Sequence, residues 1–283
     1  MAIKLLVDSS TDISKTEAQS LGIDMISMMI MFDGVDYLDG VDLLPIEFYK
    51  KLRESEALPK TSQIVPARFE EAFEELTKNG DELLVITLSS KLSGTYASAC
   101  SAAEGFGDKV RVVDSLNAAI GERLLAQYAM RLIESGDSLD DIVEKLNAKK
   151  GRIRLYAVLG TLEYLKKGGR ISAAVAIAGE MLSIKPIISV IDGEVKVVGK
   201  AMGARKGNIM LKNMVSKTQG ADLSMPYGLV YSGEDKQAIE SNLKEVAKLF
   251  AVEDKEVPEY IVGATIGTHV GPGVFGLAYF EKE

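Results

Sequence analysis

The segment at residues 83–99, LLVITLSSKLSGTYASA, constrains the fold more than any other stretch. It opens with an unbroken apolar run over residues 83–88. Such a run, flanked by turn chemistry, suits a strand buried on both faces. Ser89, Ser90, Lys91, Leu92, Ser93, Gly94 and Thr95 form a hydroxyl-rich turn. Tyr96, Ala97, Ser98 and Ala99 then read as a helix start, for which Ser93 and Thr95 are suitable caps. Strand, turn and helix start together aim backbone N–H groups and hydroxyls at one spot, which suits an oxyanion. A capped helix with no ligand would carry the same residue types, so the reading depends on recurrence elsewhere in the chain.

Similar stretches do recur. The apolar run at residues 3–7 ends in Asp8, Ser9, Ser10, Thr11 and Asp12, and the run at 110–113 ends in Asp114 and Ser115. Helices are predicted over 14–21, from Pro45 to about 55, from Pro66 onward with Phe69, Ala72, Phe73 and Leu76 on one face, over 124–133, and from Ser138 to about 149. Strands alternating with helices predict an α/β domain over residues 1–153, its mainly parallel sheet flanked by helices. Ligands of such sheets collect beyond the carboxyl ends of the strands. Residues 25–32, rich in methionine, read as one strand, 33–42 as an acidic loop, and 59–64 as a loop.

Residues 154–283 read as a second α/β domain. A strand at 154–159 is followed by a short helix from Thr161, broken by Gly168, Gly169 and Arg170. Residues 171–182 suggest a helix of small side chains. Asp192–Gly193 between apolar runs is a hairpin signal, so this half has antiparallel pairing and a mixed sheet. Residues 205–215 are helical and basic, and 236–250 form an amphipathic helix between further strands. The run GATIGTHVGPG at 263–273 reads as a tight loop around His269, the sole histidine.

Composition narrows the chemistry. A formal net charge of -8 argues against nucleic acid as a partner. One cysteine and one histidine leave no disulfide pair and no expected metal site, and a reducing cytoplasm is the expected setting. The chain opens directly into a strand without signal-peptide features, which supports the same expectation. No G-x-x-x-x-G-K-[ST] phosphate loop occurs, and no G-x-G-x-x-G opens the first helix. Ser93, His269 and Asp114 could be assembled on paper as a hydrolytic triad, yet Ser93 lies in K-L-S-G-T and not in a G-x-S-x-G elbow. What remains is an oxyanion site of hydroxyls and one imidazole, with Thr61, Ser93 and His269 as candidate donors. A metabolite would need further polar contacts, whereas an acyl chain would need a long apolar channel.

Five pieces of the chain, LLVDSSTDI, PKTSQ, LSSKLSGTYASA, EYLKKGGRIS and IGTHVGPGVFG, occur in the order of a known family. The chain resembles the DegV family of bacterial fatty-acid-binding proteins, the acyl-carrying subunits of fatty acid kinase. The resemblance implies two α/β domains with a fatty acid such as palmitate, stearate or oleate buried between them, and no cofactor. It implies a carboxylate site at Thr61 and Ser93 with Ser62, Gly94 and His269 close by, and Arg170 near the site mouth. It further implies a non-catalytic chain whose bound acid is phosphorylated by a separate kinase subunit. A transient membrane contact stays open. Met202 stands where the family often has arginine, while Arg205 and Lys206 keep basic character for partner contact. Two alternatives remain: a carrier of another apolar anion without a kinase, and a Ser/His acyl hydrolase. Chain-length preference is expected to depend on the far end of the channel, near Met28, Met29, Met31 and the small-residue helix at 171–182.

Overall fold

In a computed structural model of the chain, residues 2–171, 184–250 and 256–283 are described. Most of the small-residue helix expected at 171–182 therefore lies outside the described residues. The first half begins β1 (Ile3–Asp8), α1 (Lys15–Leu21), β2 (Ile23–Ile26), β3 (Met29–Phe32), β4 (Val35–Leu38), α2 (Pro45–Glu54) and β5 (Lys60–Ser62). It continues α3 (Pro66–Thr77), β6 (Glu82–Thr87), α4 (Thr95–Ala103), β7 (Val110–Asp114), α5 (Ile120–Glu134) and α6 (Leu139–Lys149). The remaining elements are β8 (Ile153–Val158), α7 (Glu163–Lys167), β9 (Ile184–Ile191), β10 (Glu194–Met202), α8 (Ala204–Val215), β11 (Tyr227–Tyr231), α9 (Gln237–Ala247), β12 (Glu259–Ile261), α10 (Ala264–Val270) and β13 (Phe275–Phe280).

The fold is α/β, with a parallel four-stranded sheet ordered β2-β1-β6-β7 and a separate six-stranded sheet ordered β10-β9-β8-β13-β11-β12. The second sheet is mixed: β11 and β12 are parallel and its other pairs are antiparallel. Alternation along the strands builds two cores on each sheet. In β6, Leu84 and Ile86 face the core shared with the second sheet, while Leu83 and Val85 face α3 and α4. In β8, Leu155 and Ala157 face the shared core, and Val158 packs with Leu211 of α8 and Leu243 of α9. Helix α5 lies between the sheets, buried through Leu124, Leu125, Ala126 and Ala129.

Four expectations are corrected here. The methionine-rich run is two strands in different sheets. The chain leaves the parallel sheet at Ser27, the Met28 N–H donates to Ser9 Oγ (3.0 Å), and β3 joins a small sheet ordered β4-β3-β5. The acidic loop at 33–42 contains β4, and the loop at 59–64 contains β5, which pairs with β3 through Thr61 opposite Ile30. The glycine-rich segment at 263–273 contains α10, bounded by Gly263 and Gly271.

Candidate functional site

Thr61 is brought in by β5, Ser93 by the turn between β6 and α4, Arg170 by the turn after α7, and His269 by α10. All four line one cavity, together with Ser62 and Gln63. The cavity holds about 870 Å³ of empty space, its opening to solvent included. Away from these polar groups and Thr265 its wall is apolar: Leu155, Ala157 and Ile188 come from the second sheet, and Ala118, Ala119 and Ile120 from the start of α5. Ala119 holds φ 52° and ψ −136°, a conformation that an L side chain rarely adopts.

Thr61 Oγ1 and His269 Nε2 share a hydrogen bond of 2.9 Å. The other ring nitrogen, Nδ1, is buried without a hydrogen-bond partner among the described residues. It faces the Cα of Gly168, where any side chain would collide with the ring. Burial, with the nearby Arg170 charge adding to it, pushes the His269 pKa down to about 4, so the imidazole is neutral at pH 7. Arg170 itself is held by backbone carbonyls: Nε donates to Leu92 O (3.2 Å) and one terminal nitrogen to Gly168 O (2.6 Å). Ser93 Oγ lies 2.9 Å from Thr95 Oγ1 and accepts from the Thr95 N–H (3.2 Å). The group thus offers hydroxyls, a neutral imidazole and a fixed guanidinium, which together suit one carboxylate.

Of the residues singled out in the sequence, Thr61, Ser62, Ser93, Arg170 and His269 converge. Gly94 is the residue immediately before α4, beside Ser93 and beneath the Gln63 side chain, and does not itself line the cavity. Arg205 lies on an exposed face of α8, outside the cavity lining, and Met202 is 57% exposed at the end of β10. Of the three methionines expected near the far end, Met28 lines the cavity and Met29 and Met31 do not. The paper triad does not assemble as a hydrogen-bonded chain. His269 bonds Thr61, and Asp114 Oδ1 accepts from the N–H groups of Ser90 and Leu116. Among the described residues no group of His, Cys, Asp and Glu converges as a metal site.

Two further hydroxyls at the strand ends are internal struts. Ser89 Oγ donates to Gly193 O (2.8 Å) at the tip of the β9–β10 hairpin, and Ser10 Oγ donates to Glu122 Oε2 (2.6 Å). Sequence reading missed Asp12 and Asp39, which bond the first N–H groups of the His269 helix. An aspartate in an acidic loop carries no signal that distinguishes it from a solvated charge.

Comparison with known proteins adds to this geometry. A family model described as "uncharacterised protein, DegV family" matches residues 2–282. A DegV domain-containing protein of Caldanaerobacter subterraneus subsp. tengcongensis is 35% identical over 287 residues, covering 99% of both chains. A solved DegV family protein from Thermus thermophilus, described for its fatty acid binding, is 31% identical, with a TM-score of 0.88 over 100% of both chains. A stearic-acid-binding protein from Eubacterium ventriosum is 26% identical, with a TM-score of 0.86 over 100% of this chain and 99% of its own. On the match along nearly its whole length, the chain belongs to the DegV family.

Proposed function

We propose that this chain binds a long-chain fatty acid between its two large sheets and presents the carboxyl group to a separate kinase subunit. Residues 1–153 and 154–283 are the two domains in this reading, and each lines part of the cavity. The observation that carries it is the convergence of Thr61, Ser93, Arg170 and His269 on one side of an otherwise apolar cavity. Each buried methylene contributes about 0.8 kcal/mol, so an apolar wall retains an acyl chain without further polar contacts. The orphan Nδ1 favours the tautomer in which Nε2–H donates to Thr61 Oγ1, because a buried unpaired donor costs about 1–3 kcal/mol. The Thr61 hydroxyl is then free to donate to one carboxylate oxygen, and the Ser93 hydroxyl to the other. Ser62 and Gly94 shape the ground around these two donors.

The chain would hold the acid and leave the phosphoryl chemistry to its partner, in keeping with the lack of a phosphate-loop motif. Arg170, fixed by Leu92 O and Gly168 O, would face the growing negative charge of an acyl phosphate. Arg205 and Lys206 on α8 would meet the partner, with a cytoplasmic setting following from a kinase that uses ATP. The test is native mass spectrometry of the purified chain followed by lipid extraction. One fatty acid per chain is expected. A chain that is empty and takes up neither palmitate nor oleate would reject the reading.

A further inference from the structure

Helix α10 carries His269, yet its own sequence is a poor basis for a helix. It has seven residues, ATIGTHV, four of them β-branched and one glycine. Such a segment is unstable in isolation. Its place is set by contacts from the other half of the chain. Asp39, 2% exposed, takes the N–H of Ala264 on one carboxylate oxygen (3.1 Å) and the N–H of Thr265 on the other (3.2 Å). Asp12 Oδ1 accepts from the Gly263 N–H (2.8 Å), and the Tyr49 hydroxyl donates to Val262 O (3.1 Å). On the flank, a Cβ at Gly267 would lie 2.6 Å from Phe48 Cε1 and 2.7 Å from the Tyr49 hydroxyl, so α10 rests directly on α2.

Thr265 and His269 are one helical turn apart and share a face. A shift at the Thr265 N–H therefore carries to the imidazole. Burying the Asp39 carboxyl has a cost, which shows as a pKa raised by burial. A neutral cap would avoid that cost but could not accept two N–H bonds on equivalent oxygens. We propose that Asp39 is a positioning residue for the Thr61–His269 pair: its two oxygens fix the start of α10, so that Nε2 meets Thr61 Oγ1. The effect on ligand binding rests on the reading of Thr61, Ser93 and His269 as the carboxylate group.

The test uses the full chain, delipidated and then loaded with palmitate. His269 is the only histidine, so its imidazole signals in a long-range ¹H–¹⁵N spectrum need no assignment. Thr61→Val, which breaks the pair from the other side, defines the spectrum of a released ring. In Asp39→Asn the delipidated chain is expected to show the released-ring pattern, and palmitate is expected to dissociate about tenfold faster or more. A folded Asp39→Asn chain with wild-type imidazole shifts overturns the proposal, even if its melting temperature is lower. Should Asp39→Asn fail to fold, Asp39→Ser, which keeps one short acceptor, is read by the same spectrum and the same criterion. A wild-type chain that takes up no palmitate would reject the fatty-acid reading alone, because the delipidated spectra still decide the role of Asp39.

Discussion

Thr61 Oγ1 and His269 Nε2 stand 2.9 Å apart across 208 positions of sequence. One belongs to the edge of a three-stranded sheet in the first half, the other to a short helix in the second. The bond links two residues that line the cavity, and it joins two halves that each present only part of the site.

Removing the hydroxyl from this pair tests the carboxylate site most directly. Thr61→Val keeps the shape and β-propensity of the residue and deletes the donor. Calorimetric titration with palmitate is expected to show affinity lower by about 10- to 100-fold, the worth of one hydrogen bond to a charged partner. Ser93→Ala is expected to lose a similar factor. Unchanged affinity in both would place the carboxylate elsewhere.

The His269 imidazole links stability to acid. Its folded pKa is about 4, below the ordinary 6.5, so the unfolded chain takes up this proton first as pH falls. The stabilisation is complete above pH 6.5 and is lost progressively down to pH 4, and it amounts to about 3 kcal/mol. His269→Gln removes the titration. The difference in unfolding free energy between wild type and variant should therefore shrink as pH is lowered through that window. Parallel curves would show that the ring is not held neutral.

Glu122 gives the opposite slope. It is fully buried, Oε1 has no partner among the described residues, and its pKa is pushed well above the usual carboxylate range by burial and then by the neighbouring Asp8. A raised folded pKa contributes stability below the ordinary carboxylate pKa, and that stability is lost as pH rises through the folded value. Glu122→Gln keeps the Ser10 hydroxyl bonded and cannot ionise. It is expected to unfold at higher denaturant than wild type at pH 8, by about 1 kcal/mol, and to match it near pH 4.

Ala119 carries backbone strain at the cavity wall. Glycine adopts its φ and ψ without a Cβ penalty. Relief of about 1–3 kcal/mol, less the greater entropy of glycine in the unfolded chain, leaves a net gain of about 1 kcal/mol. Differential scanning calorimetry of Ala119→Gly should show a melting temperature higher by about 2 °C.

Ala157 lies on β8 between Leu155 and Leu159, and all three face the cavity. Ala157→Leu extends into space that an acyl chain would fill. Palmitate affinity is expected to fall about tenfold, with the melting temperature of the delipidated chain little changed. A large loss of stability with unaltered affinity would show that position 157 points into packed core.

Much of this molecule is written in local pattern. The apolar runs of β1, β6 and β7 and the helices between them declare a parallel α/β sheet, and Asp192–Gly193 declares the β9–β10 hairpin. The helix read over 14–21 is α1, with Ser14 as its N-cap accepting from the Glu17 N–H. The segment at 83–99 is strand, hydroxyl-rich turn and helix, and it does supply Ser93 to the cavity. These features are legible because period and cap chemistry act over a few residues.

What the sequence by itself determined was the fold class, the family and the residue types of the polar site. The tertiary structure alone decided which of those residues meet. The strand break at Ser27 and Met28 follows from bonds to Ser9 and Asp39, neither of them a neighbour in sequence. Helix α10 exists where local propensity argues for a loop, because the buried carboxylates of Asp12 and Asp39 take its first N–H groups and α2 packs against its flank. The physical reason is the range of the interactions. Strand period and caps are set within one turn of chain, whereas satisfying a buried N–H or carboxylate depends on partners 225 and 251 positions away, which only the folded chain brings within 3.2 Å.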